Sequence, residues 1–180
     1  LSKKGDPFIH IDYDVLLWKK LPKKILSAEV FVQCPEDVYK HGYHVDKVLN
    51  NCPNLYFLKE NNPDKAYNMG IFGGNDLDFI YNYSNQAIKF ASDEKNFHFW
   101  QEYNSPELAA NWKACIVEQL FLAAAALSLN KKITCLFNLW PSERKCENAG
   151  YTHLMFDKSL PIVKKRIKQL AKIYETKYYV

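Results

Sequence analysis

Glycine is scarce in this chain, with six residues in 180, and neither an internal repeat nor a linker-like stretch of glycine, serine or proline interrupts it. One globular domain over residues 1–180 is expected, long enough to bury a sizeable core. Cysteine stands at 34, 52, 115, 135 and 146, an odd number without any CxxC or zinc-type spacing. That excludes a sequence-readable disulfide framework or zinc ribbon. Cys115 and Cys135 lie in apolar runs, so reduced, buried thiols and a cytoplasmic setting are expected. No secretory signal pattern is visible. The longest apolar run, Ala114 to Leu129, is broken by Glu118 and Gln119, and is too short and polar to cross a bilayer. Blocks of like charge are missing too. The net charge is +4, and the lysines come in scattered pairs such as Lys19-Lys20 and Lys131-Lys132. No nucleic-acid-binding arm is present, while a weakly basic surface tolerates an anionic substrate.

Aromatics are plentiful at 15%. Rings of this kind fill cores, and they also stack on the C–H faces of sugars. Strand and helix signals alternate, which predicts an α/β layout. Strands are expected at Phe8–Ile11, Ala28–Gln33 (closed by Pro35), Leu55–Leu58, Tyr67–Phe72 and Lys132–Leu139. A short helix or turn follows Pro22, and Val38–Asn51 is weakly helical. Longer helices are expected at Leu77–Phe90 with Asn75 or Asp76 as cap, from Ser105 to about Leu129, and from about Leu160 to Tyr178. Pro141 to Gly150 reads as a polar loop.

Four segments carry candidate chemistry. Asp12 and Asp14 follow an apolar strand, one residue apart, and such a pair engages a hard divalent cation or simply decorates an acidic loop. In Tyr67–Asp76, Gly70, Gly73 and Gly74 are half of all the glycines. Concentrated glycine lets backbone approach a ligand closely, with Asn68, Asn75 and Asp76 available for hydroxyl groups. The same pattern also describes a tight strand-to-helix turn. It is neither a Walker loop nor a dinucleotide fingerprint. Glu118, with Gln119 beside it, interrupts a helix that is apolar nearly all round and therefore expected to be buried. A carboxylate there is either paired structurally or functional. His153 precedes Lys158 by five positions. A neutral imidazole can complete a carboxylate coordination sphere and an ammonium can neutralise phosphate, although a lone histidine after a loop is commonly unremarkable.

Taken in order, these segments resemble the GT-A glycosyltransferases, especially retaining families with a D-x-D strand, an asparagine–glycine strand and a late His-x-x-x-x-Lys. The resemblance covers about Phe8 to Lys158. It implies a GT-A-like mixed sheet flanked by helices. It implies Mn²⁺ or Mg²⁺ held by Asp12, Asp14 and His153, a nucleotide-sugar donor (a UDP-sugar first), and a saccharide or lipid-linked acceptor. Glu118 would be the catalytic group beneath the sugar. Asn68, Gly70, Gly73, Gly74, Asn75, Asp76, Gln119 and Lys158 would bind substrate. The family pattern has Pro-Trp after the lysine where this chain has Ser159-Leu160, and only eleven residues precede Asp12. The nucleotide-reading N-terminal part is therefore expected to be largely absent, and the chain to be the tail of a longer product. The alternatives are a catalytically incomplete sugar-binding or scaffold domain, and a metal-dependent phosphoesterase or nuclease using His10 and Glu36. The basic face of the last helix suits either plain solvation or the inner face of an anionic membrane. Oligomeric state is not written in the sequence.

Overall fold

The computed structural model describes residues 5–39, 43, 56–61, 63–97, 112–154 and 161–178. Six strands are found among them: β1 (Phe8–Ile11), β2 (Val15–Leu17), β3 (Phe31–Asp37), β4 (Lys65–Gly74), β5 (Thr134–Cys135) and β6 (Tyr151–His153). Four of them form a mixed sheet in the order β1-β4-β3-β5, in which only β3 and β5 run parallel. The remaining two, β2 and β6, form a separate antiparallel ladder. This is the α/β layout that the alternating signals predict, and its sheet is mixed.

Side chains alternate across β3 and β4, and both faces are buried. Val32 and Phe72 enter a core with Phe79, Ile80, Tyr83, Ile116, Leu120 and Phe121, while Phe31 and Ile71 enter a second core with Ile25, Leu136 and Tyr151. Each large apolar side chain fully removed from water stabilises by about 1.5–3 kcal/mol. These two cores therefore sandwich the central strands and hold them rigidly.

Helices α1 (Lys23–Leu26), α2 (Tyr56–Asn61), α3 (Leu77–Ser92), α4 (Trp112–Cys115), α5 (Phe121–Ser128), α6 (Glu143–Ala149) and α7 (Pro161–Tyr178) surround the sheets. Between α4 and α5 the backbone widens into a π-helical turn, Ile116–Leu120. Asp76 caps α3 by accepting a hydrogen bond from the Phe79 amide. Among the described residues no helix is long and apolar enough to cross a membrane.

Several sequence expectations are corrected. Leu55–Leu58 is not a strand: the described part lies in helix α2, since a short apolar run has no period long enough to separate buried helix from strand. The polar stretch after Pro141 contains α6, capped by the Ser142 side chain and ended by Gly150 at φ 68°. It buries none of its residues, so it lacks an apolar period to read. Strand β3 runs through Pro35, which pairs with Tyr67 beyond a bulge after Val32. Its neighbour β5 ends earlier, and an unpaired edge tolerates a residue with no amide proton. Lys132–Leu139 reduces to the two-residue β5. Of the expected helix at Val38–Asn51, Val38 and Tyr39 form a turn and, Tyr43 apart, the rest lies outside the described residues, as does the start of the Ser105 helix.

Asp76 also pairs with Lys131 at 2.6 Å. The hydrogen bond from Lys131, and then that from the Phe79 amide, hold its carboxyl below the ordinary carboxylate range. A depressed pKa contributes stability that is present above the unfolded value and lost as pH falls through the folded one. Asp76→Ala is expected to lower stability by about 1 kcal/mol at neutral pH. The deficit relative to the native chain should shrink below about pH 4, which urea denaturation at several pH values will measure.

Candidate metal centre

The turn after β1 carries the acidic pair. The Asp12 amide donates to the Gly70 carbonyl at 3.0 Å, and the Val15 amide donates to the Asp12 carbonyl at 3.0 Å. Asp12 is thereby tied to the middle of β4, while the chain turns out of the large sheet and enters β2. There Val15 pairs with His153 of β6, and the Leu154 amide donates to the Asp14 carbonyl at 2.9 Å. Residues from opposite ends of the chain meet where the two sheets join.

Ligand atoms of Asp12, Asp14 and His153 all lie within 4.8 Å of one another. His153 Nε2 and Asp14 Oδ1 are 3.3 Å apart, with both side chains 11% exposed. Two adjacent ligands on an ion at ~2.1 Å sit about 3 Å apart. Two carboxylates and an imidazole at this spacing match the donor set of a divalent cation such as Mn²⁺ or Mg²⁺. Tyr13, between the carboxylates, is 93% exposed. His10 Nε2 lies 2.9 Å from Asp12 Oδ1 at the outer rim.

Glu118 lies close enough to Asp12 and His10 to feel their charges. Contrary to the expectation of a buried carboxylate, its side chain is exposed, although its neighbours Ile116 and Leu120 are fully buried. Its pKa is raised, first by partial desolvation and then by the negative charge of Asp12, with His10 acting the other way. The π-turn that carries it is a distortion frequent at functional sites. Tyr83 props this turn by donating to the Glu118 carbonyl at 2.7 Å.

The other proposed substrate residues point elsewhere. Asn68 is buried; its Nδ2 donates to Glu36 Oε1 at 2.8 Å and its Oδ1 accepts from the Gly70 amide at 3.0 Å. Gln119 is bonded to Tyr43, which also donates to Glu36. Glu36 therefore belongs to a buried network and not to the metal trio. Asn75 Nδ2 donates to the Ala28 carbonyl at 2.9 Å, and Asp76 caps α3. A Cβ at Gly73 would strike the Phe8 backbone, and one at Gly74 the Glu29 backbone. Strand contact therefore explains both of these glycines. Gly70 is different: an added Cβ would come within 2.5 Å of both His153 Nδ1 and Gln33 Oε1. Lys158 lies outside the described residues. Gln33 and Tyr151 enter the site without any sequence signal: Gln33 reads as the end of an ordinary strand, and no role is expected of Tyr151.

Gly70→Ala is expected to displace the imidazole and destabilise by about 1–3 kcal/mol, through overpacking, in thermal unfolding. Asp12→Asn should lower the Glu118 pKa, because a negative charge that raises it is removed; carboxyl-carbon NMR titration reads this directly.

No curated protein and no solved structure matches the chain. A family model described as a family of unknown function, DUF6734, matches residues 1–178, and the chain belongs to that family.

Proposed function

We propose that this chain is a metal-dependent glycosyltransferase of GT-A type. It would move a sugar from a nucleotide-diphosphate sugar, a UDP-sugar first, to a saccharide or lipid-linked acceptor with retention of configuration. The observation that carries the reading is the convergence of Asp12, Asp14 and His153, whose ligand atoms come within 4.8 Å although the third residue is remote in sequence. These three would hold Mn²⁺ or Mg²⁺. The ion supplies positive charge to a leaving diphosphate.

The chain's own groups fit around that chemistry. Glu118, close enough to Asp12 to feel its charge, is the carboxyl available to a reacting sugar. Tyr13 offers an exposed ring between the ligands on which a sugar or base face can stack. Lys158 would add an ammonium to the diphosphate, on resemblance alone. Asn68 serves by holding the Gly70 backbone in place rather than by meeting hydroxyl groups.

The test is Mn²⁺ titration calorimetry with UDP-sugar turnover, on the native chain and on Asp14→Ala. Turnover is expected to need the ion and to fall to background in the variant. Turnover indifferent to both chelator and substitution sinks the reading. Mn²⁺ binding without turnover favours the sugar-binding or scaffold alternative.

A further inference from the structure

Beneath the trio lies an uncharged polar side chain that is almost wholly enclosed. Gln33, on the central strand β3, is 2% exposed. Burying an amide without partners is unfavourable, so the bonds it makes are specific. Its Oε1 accepts from the Tyr151 hydroxyl and lies 2.8 Å from His153 Nδ1. Tyr151 is fully buried, and its hydroxyl donates to the amide there. The amide oxygen therefore faces both Tyr151 and His153.

An amide oxygen carries no proton, so the imidazole nitrogen facing it must carry one. A neutral imidazole has a single N–H. With Nδ1 protonated, the lone pair is on Nε2, the atom 3.3 Å from Asp14 Oδ1. Gly70 makes the arrangement possible, since any Cβ there would intrude on both partners.

We infer that Gln33 is a positioning residue: it selects the Nδ1–H tautomer of His153, with Tyr151 anchoring the amide, and so aims the Nε2 lone pair at the space shared with Asp12 and Asp14. The role as metal support rests on the metal-centre reading; the tautomer does not. An acceptor behind one imidazole nitrogen is the arrangement by which proteins orient histidine toward metals.

The test has two parts. Nitrogen-15 NMR of the metal-free native chain, above about pH 8 where an ordinary imidazole is neutral, reports which nitrogen of His153 is protonated. The Nδ1–H form is expected, and the Nε2–H form overturns the inference without recourse to any variant. Mn²⁺ affinity is then measured for Gln33→Met, which keeps the bulk and loses the acceptor, and for Gln33→Glu, which keeps the acceptor. Binding roughly 10–100-fold weaker in Gln33→Met, with recovery in Gln33→Glu, is expected. Native affinity in a folded Gln33→Met overturns the supporting role. A native chain that shows the Nδ1–H form yet binds no Mn²⁺ upholds the tautomer assignment and counts against the metal centre instead.

Discussion

The pairing of Val15 with His153 across β2 and β6 is the contact on which the candidate site depends. It joins the N-terminal turn to a strand that the chain forms only much later. A strand pair slipped by one residue would turn His153 to the opposite face of the ladder. Two features pin this register. The Leu154 amide donates to the Asp14 carbonyl just past the pair, and the fully buried Tyr151 is fastened to Gln33 below it. The imidazole therefore reaches the carboxylates as a consequence of core packing.

Behind the trio, polar groups form two connected sets. Gln33, Tyr151 and His153 make one; Glu36, Asn68, Tyr43 and Gln119 make the other, and the Gly70 backbone accepts Asp12 on one side while donating to Asn68 on the other. Buried polar groups of this kind need partners to offset lost hydration. That need explains why Asn68 and Gln119 are bonded within the protein, although their residue types suit sugar hydroxyls. Asn75 and Asp76 are likewise engaged, at the start of α3, where unsatisfied helix amides require a cap.

Legibility varied with the length of the signal. The α3 and α7 helices are long and amphipathic, and α3 begins at Asp76, one of the two caps that its sequence offers. Helix α6, apolar only at Cys146 and Ala149, and the short α2 offer too little apolar period to read, so they read as loop and strand. Glycine misled in a similar way. Gly70, Gly73 and Gly74 look alike in sequence, yet only Gly70 faces the site, while the other two let β1 and the Glu29 backbone come close.

Asp12, Asp14 and His153, whose ligand atoms converge, were singled out together because their order along the chain resembles that of a known enzyme family; taken alone, an acidic pair or a histidine after a loop is commonly unremarkable. The sequence by itself determined those residue types and the strand and helix periods around them. Which of the neighbouring polar groups would face the site was decided by tertiary structure alone. Register, a missing Cβ at Gly70 and a buried amide at Gln33 are relations between distant segments, set by hydrogen-bond satisfaction and close packing, and no local pattern encodes them.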